Sequence, residues 1–369
     1  MKFSIDKNIL QNLLLEHQKV VPLRTTLPVL SCAFLKTSKQ TLTIKTTDLE
    51  QTIISNTAIK DEKEGIICVP MSKLCEIVSA LPSEEIRITI NEDFLVEINS
   101  NQGVYKITGR DPEEFPESLP PKTKETIEMA GKDFADIIEK TTFATSRDDL
   151  KPALSGVYIN ISKDKITAVA TDGHRLVKYE KETESKKNHS IVVPVKFLKI
   201  IKNTIDEKNT IKVDIDESLL STNQKNFTIT TRIIKETFPD FNSVIPDNNT
   251  IKAEIDKTQL ISCLKRVSIF SNRTTRQTVL SFSEKGVVVS AQDPETSTSG
   301  KEHADCSYEG EALTVSYNAK YLIEVLQHID TSAVNIYLST PLAAAIIKPT
   351  KQKQKENITT LLMPLRLNN

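Results

Sequence analysis

Hydrophobic and polar positions alternate between two periods along this chain, and the order of the two periods recurs three times. The chain opens with a short alternating strand, Lys2-Phe3-Ser4-Ile5. An amphipathic run follows in which Leu10, Leu13, Leu14, His17, Val20 and Val21 share one helical face. The design returns at Thr126-Ile127-Glu128-Met129 with Phe134, Ile137, Ile138, Thr141 and Thr142, and again at Lys252-Ala253-Glu254-Ile255 with Leu260, Ile261, Leu264 and Val267. Leu10, Phe134 and Leu260 are 124 and 126 positions apart. A second helix is predicted in each third. Its inward residues are Leu74, Ile77, Val78 and Leu81 after Val69-Pro70-Met71; Leu198, Ile201 and Ile205 after Val193-Pro194-Val195; and Leu322, Val325, Leu326 and Ile329 after Val315-Ser316-Tyr317-Asn318. Leu74, Leu198 and Leu322 are spaced by 124 and 124. The two prolines are expected in the first helical turn, where an amide needs no partner.

Two further landmarks keep the same register. Leu42 to Asp48, Ile166 to Asp172 and Val287 to Asp293 each read as a strand that runs into an aspartate, the aspartates lying 124 and 121 apart. Phe115-Pro116 and Phe238-Pro239 are 123 apart, with Met363-Pro364 in the corresponding place of the last third. Alternating segments such as Ile86 to Ile90, Ile211 to Ile215 and Val334 to Leu338 fill the space between. Strand-rich thirds with two helices each predict an α+β fold of three tandem domains, with helices on one face of antiparallel sheets. The domains are expected at 1–121, 122–248 and 249–369, divided at the turn-rich Leu119-Pro120-Pro121-Lys122 and Pro246-Asp247-Asn248-Asn249. Linkers this short predict one rigid arc. Lys351 to Asn357 reads as a solvated hairpin tip.

Composition narrows the function classes. Of 369 residues, 38% are hydrophobic and 26% charged, a globular profile. Met1 to Asp6 lacks a signal-peptide core and Leu342 to Ile347 is far too short to span a bilayer, so no membrane association and a cytoplasmic setting are expected. Cys32, Cys68, Cys75, Cys263 and Cys306 are scattered without a C-x-x-C pair, which supports neither zinc nor disulfides. The nine glycines form no phosphate-cradling loop, and no cofactor is expected.

The densest polar constellation is Thr171-Asp172-Gly173-His174-Arg175-Leu176. An aspartate two residues before a histidine admits a hydrolase or metalloenzyme centred on Asp172 and His174. The repeat argues otherwise, because the strand-then-aspartate pattern occurs three times and His-Arg follows only once. His17, His189, His303 and His328 are isolated, so no catalytic or metal-ligating residue is expected. Basic residues instead recur on or beside the outward helix faces: Lys7, Lys19, Arg24 and Lys73; Lys132, Lys140, Arg147, Lys196, Lys199 and Lys202; Lys257, Lys265, Arg266, Arg273 and Lys320. On a chain of net charge −1, gathered positive charge suits a phosphate-facing surface. Without interleaved aromatics, contact would be electrostatic and indifferent to base sequence. A repeat-built adaptor with no DNA role is the remaining alternative.

These residues resemble the bacterial sliding clamp family, the β subunits of DNA polymerase III, over essentially the whole chain. The resemblance rests on Thr171 to Leu176 with Met363-Pro364-Leu365-Arg366-Leu367, supported by Arg24 to Leu30, Thr47-Asp48-Leu49-Glu50, Phe238-Pro239-Asp240-Phe241 and Asn318-Ala319-Lys320-Tyr321. It implies a head-to-tail homodimer whose six domains close a ring around double-stranded DNA, helices inside and sheets outside. Such a clamp slides without catalysis and gives the polymerase processivity. It implies contact between Tyr105 and Ile107 of one copy and Ile269 and Phe270 of the other. It implies a groove for peptides of the replicative polymerase, clamp-loader subunits and other clamp-binding proteins. That groove would be built from Leu154, Thr171, Gly173, His174, Arg175, Leu176, Pro239 and Val244 with Asn318, Tyr321, Leu342, Ala344, Leu361, Met363, Pro364, Leu365 and Arg366. For DNA it points to Arg24, Lys73, Asp148, Pro152 and Ala153, and the helical stripe adds Lys196 and Lys199. The chain departs from the family pattern where Asp148 replaces a neutral residue and Pro152-Ala153 replace two tyrosines. Further departures are Ser243 for an arginine, Leu365 for a methionine, and Asn368-Asn369 past the usual end.

Overall fold

The computed structural model describes residues 1–91, 93–117, 125–148, 150–183 and 188–367. The expected boundary at Leu119 to Lys122 and the terminal Asn368-Asn369 lie outside the described residues. Six α-helices occur among those described: α1 (Lys7–Gln18), α2 (Met71–Ala80), α3 (Gly131–Thr141), α4 (Val195–Lys202), α5 (Lys257–Val267) and α6 (Ala319–Gln327). They fall two to each third, each following a strand, as the double periodicity predicts. The landmark residues are interior: Leu10, Phe134 and Leu260 on the first helix of each third, and Leu74, Leu198 and Leu322 on the second, are all buried.

The chain divides into two compact units, Met1–Ala135 with Lys196–Ile233, and Asp136–Val195 with Ile234–Asn369. The division cuts through the middle copy because the antiparallel sheets do not stop at the copy boundaries. In the first unit an eight-stranded sheet runs Glu125–Ala130, Thr210–Ile215, Leu219–Gln224, Phe227–Arg232, Gln51–Ala58, Thr41–Thr47, Cys32–Ser38, Gly65–Pro70. Its first four strands belong to the middle copy and its last four to the first. The join is Phe227–Arg232 against Gln51–Ala58, with Ile229 opposite Ile53. The same unit holds a five-stranded sheet, Lys60–Lys63, Lys2–Asp6, Glu85–Ile90, Leu95–Asn99, Val104–Thr108.

In the second unit a nine-stranded sheet runs His189–Pro194, Gly156–Ile161, Lys165–Thr171, Arg175–Glu182, Glu356–Leu362, Ala345–Pro349, Ala333–Leu338, Ile251–Asp256, Cys306–Glu309. Here four strands of the middle copy meet five of the last, through Arg175–Glu182 against Glu356–Leu362. A four-stranded sheet, Thr298–Ala304, Gly286–Asp293, Gln277–Ser283, Leu313–Asn318, completes the unit. Each unit has its own apolar core between helices and sheets. Phe3, Leu10, Leu14, Leu74 and Ile88 belong to the core of the first, and Leu260, Leu264, Val289, Leu322 and Ile336 to that of the second.

Two expectations need correction. Pro70 and Pro194 are the last residues of strands Gly65–Pro70 and His189–Pro194 and precede the first helical residue rather than occupying it. A strand that enters a helix with no loop needs an extended ψ at the junction, and Pro70 supplies ψ 114°. Likewise, Lys7 and Lys140 are not outward-facing charges but buried. Lys7 Nζ donates to Gln11 Oε1 at 2.7 Å, and Lys140 pairs with Asp330. Other helical cations are exposed yet paired: Lys19 with Glu16 at 2.6 Å, Lys73 with Glu76 at 2.8 Å and Arg266 with Glu302 at 2.7 Å. Solvent screens such surface pairs so that they add little stability, and their main effect is to neutralise the stripe.

His17 is wholly buried on α1. Thr46 Oγ1 donates to the His17 carbonyl at 3.3 Å, so the same oxygen accepts from Nδ1–H at 2.9 Å and leaves Nε2 to accept from Ser55 Oγ at 2.8 Å. Burial holds this imidazole at a pKa of about 3, far below its usual value. The folded value lies below the unfolded one. The stability contributed by the neutral ring is therefore complete above pH ~6.5 and falls with pH, by up to about 1.4 kcal/mol per unit, because only the unfolded chain takes the proton. His17→Gln should flatten the urea-denaturation midpoint between pH 6.5 and 5, a window above most carboxylates. An unchanged slope would mean that the folded protein accepts the proton.

Candidate peptide-docking groove

The turn between strands Lys165–Thr171 and Arg175–Glu182 is set by its own side chains. Asp172 Oδ1 accepts from the amides of His174 (2.9 Å) and Arg175 (3.0 Å). Thr171 Oγ1 accepts from the Gly173 amide (3.1 Å) and donates to the Arg175 carbonyl (2.7 Å). Gly173 takes φ +88°, and a Cβ there would meet nothing within 4 Å, so backbone conformation rather than crowding selects glycine. The Asp172 carboxylate is thus a turn device. Its other oxygen accepts from Arg175 Nε at 3.2 Å, and the His174 ring stacks on Tyr321, centroids 5.7 Å apart. No cluster of metal-ligating side chains occurs among the described residues. Burial raises the Cys68 thiol to about 12 and the thiols of Cys75, Cys263 and Cys306 to about 11, leaving them protonated near neutrality. The turn supports docking better than bond cleavage.

Beside the turn lies an apolar groove of ≈ 430 Å³. Ten of the residues expected there line it: Leu154, Thr171, Gly173, Arg175, Leu176, Pro239, Val244, Ala344, Leu361 and Met363. Leu176, Ala344, Leu361 and Val169 form a buried floor, against which Tyr158, Phe238, Phe241 and Ile245 pack. Tyr158 stacks on Phe238 at 5.4 Å. Asp240, Phe241 and Pro246 also line the groove. They escaped the sequence reading although Phe238-Pro239-Asp240-Phe241 was noted; its i, i+3 aromatics were the available signal.

Seven expected residues stand outside the lining. His174 and Tyr321 are stacked beside it, and the His174 carbonyl accepts from the Met363 amide at 2.9 Å. Asn318 caps α6, its side chain accepting from the amides of Lys320 (3.0 Å) and Tyr321 (3.3 Å). Leu365 is tied by its amide to the Ser316 carbonyl at 2.8 Å, and the Arg366 carbonyl accepts from Gln277 Nε2 at 2.9 Å. Leu342 is exposed and Pro364 half-buried.

Arg175 turns its guanidinium inward. Nη1 donates to Glu324 at 2.6 Å and Nη2 to the Phe143 carbonyl at 2.7 Å, and the group lies 4.7 Å from the centre of the Tyr321 ring. With Asp172 this makes a hub joining the turn to α6, in which all three guanidinium nitrogens donate. The two carboxylates offset the positive charge on the groove wall.

The other expected site residues fall as follows. In the first unit Arg24 is exposed and lines a shallow cavity of ≈ 530 Å³ with Asp48 and Leu49; Lys196 on α4 pairs with Asp48. Lys73 and Lys199 are exposed on α2 and α4. In the second unit Asp148 is exposed on a turn, its carboxylate accepting from the Leu150 amide at 3.0 Å, and Pro152-Ala153 open a short 3₁₀ helix. Tyr105 is partly exposed on edge strand Val104–Thr108, whereas Ile107 belongs to the core of its own unit, a correction to its expected contact role. Tyr105 and Ile107 share one face of the strand, and of its five residues only Ile107 is buried. Ile269 and Phe270 are exposed on a 3₁₀ turn after α5.

A triplicated α+β chain that carries a peptide-sized apolar groove has the architecture of a docking protein. Family profiles described as the N-terminal, central and C-terminal domains of the DNA polymerase III beta subunit match residues 1–120, 128–240 and 242–366. A beta sliding clamp from Pseudomonas putida is 27% identical, with all of both chains covered. Sliding clamps (DNA polymerase III subunit beta) from Pseudomonas aeruginosa and Bartonella birtlesii superpose over 100% of both chains with TM-scores of 0.89 and 0.92, at 26% and 25% identity. This chain belongs to the DNA polymerase III beta subunit family, the sliding clamps, which confer processivity and catalyse nothing themselves.

Arg175→Ala should destabilise the second unit by about 3 kcal/mol, because it strands Glu324 and the Phe143 carbonyl. Arg175→Lys should recover only part, since one ammonium cannot fork to three acceptors. Urea denaturation of the three proteins checks both; equal midpoints for wild type and alanine variant would remove the hub from the account.

Proposed function

We propose that two copies of this chain associate head to tail around duplex DNA, and that each offers one groove to extended peptides of the replicative polymerase, clamp-loader subunits and other clamp-binding proteins. The repeated domains are 1–121, 122–248 and 249–369, and the setting is cytoplasmic. DNA contact is electrostatic, through Arg24 and Lys199 and through Lys73 and Lys196, which would exchange Glu76 and Asp48 for phosphate, with Asp148, Pro152 and Ala153 near the path. No helix among the described residues is long and apolar enough to cross a membrane.

The observation that carries this reading is how the sheets are shared. At both internal copy boundaries the last strand of one copy pairs with the strand after the aspartate turn of its predecessor: Phe227–Arg232 with Gln51–Ala58, and Glu356–Leu362 with Arg175–Glu182. The corresponding strands left over are Val104–Thr108, at the edge of the five-stranded sheet, and Thr298–Ala304, at the edge of the four-stranded sheet. Five strands and four strands repeat the division already present in the nine-stranded sheet. Each leftover edge is a row of unpaired amides and carbonyls that another copy can complete. Tyr105 sits on one edge; beside the other, Phe270 packs so closely on Gly300 that any Cβ there would lie 2.4 Å from the ring.

The topology is tested by loading the protein on nicked circular DNA and then linearising it. Wild type should be released through the free ends, and Ile269→Asp, at a residue 76% exposed, should sediment as a monomer and fail to be retained at all. Retention after linearisation would refute encirclement. For the groove, Val244→Asp places a charge on a lining residue that is 52% exposed and serves no core. It should weaken binding of a hydrophobic clamp-binding peptide by at least about tenfold, roughly 1.4 kcal/mol, in fluorescence polarisation, with the melting temperature unchanged. Unaltered affinity would relocate the docking surface.

A further inference from the structure

We propose that the loop Asn272 to Arg276, together with Lys320 on α6, is a further phosphate-contacting site for duplex DNA, carried by the last copy. The proposal rests on the DNA-encircling reading above; it singles out Arg273 and Lys320 from the many basic residues of the helices and adds Arg276 and the loop that carries it. The starting point is a cavity of ≈ 570 Å³ in the second unit, lined by Arg273, Arg276, Lys320, Ser268, Ser271 and Gln327 among others. Three cations converge there, all exposed. Among the described residues none of the three has an ion-pair partner, unlike Lys19, Lys73, Lys196 and Arg266. The carboxylate in the lining, Glu324, is engaged by Arg175 at 2.6 Å. The end of α6 contributes no vacant amides at positions 320 and 321, because Asn318 caps them, so the attraction comes from side chains.

The loop is held ready. Asn272 Oδ1 accepts from the amides of Thr274 (3.0 Å) and Thr275 (3.2 Å), and the Asn272 carbonyl accepts from the Arg276 amide (2.8 Å). Asn318 Nδ2 donates to the Thr275 carbonyl (3.0 Å) and the Ala319 amide to the Arg276 carbonyl (2.9 Å), tying the loop to the start of α6. Arg276 is kept at φ 49°, a left-handed conformation that costs a non-glycine residue on the order of 1 kcal/mol. A loop backbone already ordered lowers the ordering cost of contact.

The repeat register connects this loop to a DNA candidate. Leu30-Ser31, Leu154-Ser155 and Leu280-Ser281 are 124 and 126 apart, in step with the other landmarks. Upstream of each stand Arg24-Thr25-Thr26, Arg147-Asp148-Asp149 and Arg273-Thr274-Thr275. The middle copy sets two acids behind its arginine. The last copy repeats the Arg-Thr-Thr of the first and adds Arg276 and Lys320. Among the three arginine loops, phosphate contact is thereby assigned to those of the first and last copies.

The test is a salt series of anisotropy titrations of the full-length protein with a short labelled DNA duplex. The Arg273→Ala/Arg276→Ala variant should bind at least about tenfold more weakly at low salt, with the slope of log K against log salt reduced by about 2. Arg273→Lys/Arg276→Lys should keep the slope, and Lys285→Ala, an exposed cation elsewhere on the same unit, should change neither quantity. Wild-type binding weakened by Arg24→Ala but not by the double variant would overturn the proposal and leave the DNA reading standing. An equal loss from Lys285→Ala would reduce it to overall charge and overturn it too. Absence of any salt-dependent binding by wild type would remove the DNA reading and this proposal with it.

Discussion

Backbone hydrogen bonding at a strand edge is the constraint on which the rest of this molecule depends. A clamp domain cannot cap its own sheets: each copy ends in a strand whose outer amides and carbonyls need a partner, and the strand after each aspartate turn needs one as well. Joining copies by shared sheets satisfies both at once, as the ladders Ile229 opposite Ile53 and Val177 opposite Thr360 do. Each ladder converts a hazard of aggregation into a specific joint. The same need, unmet at Val104–Thr108 and Thr298–Ala304, makes self-association a consequence of the fold. Covalent duplication provides two joints of this kind, and further ones require another chain.

Electrostatics follow from that frame. The helices carry many lysines and arginines, but most do not confront solvent as bare charge. Lys140 is pinned under Asp330, Lys19 and Lys73 answer glutamates one turn away, and Lys196 answers Asp48. Exposed cations without an acidic partner would attract phosphate without regard to base sequence. Pairing the remainder keeps the field shallow while preserving the long side chains as cover for the apolar stripe beneath them.

Much of this was legible in the sequence because it depends on local period. The register of Leu74, Leu198 and Leu322 gave three copies, and alternation gave the strands, since both are properties of adjacent residues. Contacts between distant residues were not legible. Lys140 looked like an outward cation because its partner stands 190 positions later, and Arg175 looked like a groove contact because Glu324 stands 149 positions later. Ile107 looked like an interface residue until its own core claimed it. Ten groove residues were recovered as lining, since a motif carries geometry, while Phe241 and Pro246 depended on where a loop folds back.

The groove lies beside a turn whose design the first copy repeats. The turns at Thr47-Asp48-Leu49-Glu50 and Thr171-Asp172-Gly173-His174 have the same wiring. In the first, Asp48 Oδ1 accepts from the amides of Glu50 (3.0 Å) and Gln51 (2.6 Å). Thr47 Oγ1 accepts from the Leu49 amide (3.1 Å) and donates to the Gln51 carbonyl (2.7 Å), matching Thr171 bond for bond. Leu49 and Gly173 even share a left-handed backbone, φ 75° and φ 88°. In the first copy a leucine occupies the third position, its strain tolerated by the surrounding bonds, and lines an open cavity of ≈ 530 Å³ with Arg24 and Asp48. In the middle copy the glycine presents no side chain, and the turn lines an apolar groove of ≈ 430 Å³ with Leu176 and Leu361. The second divergence is at the carboxylate. Asp48 is answered by Lys196 from α4, whereas Asp172 is answered by Arg175 of its own turn, which keeps the charge inside and the groove wall apolar. A duplicated frame can therefore give corresponding turns different surroundings without any change of fold: the same wiring ends in an intercopy ion pair at Asp48 and in an internal one at Asp172, beside which the groove wall stays apolar.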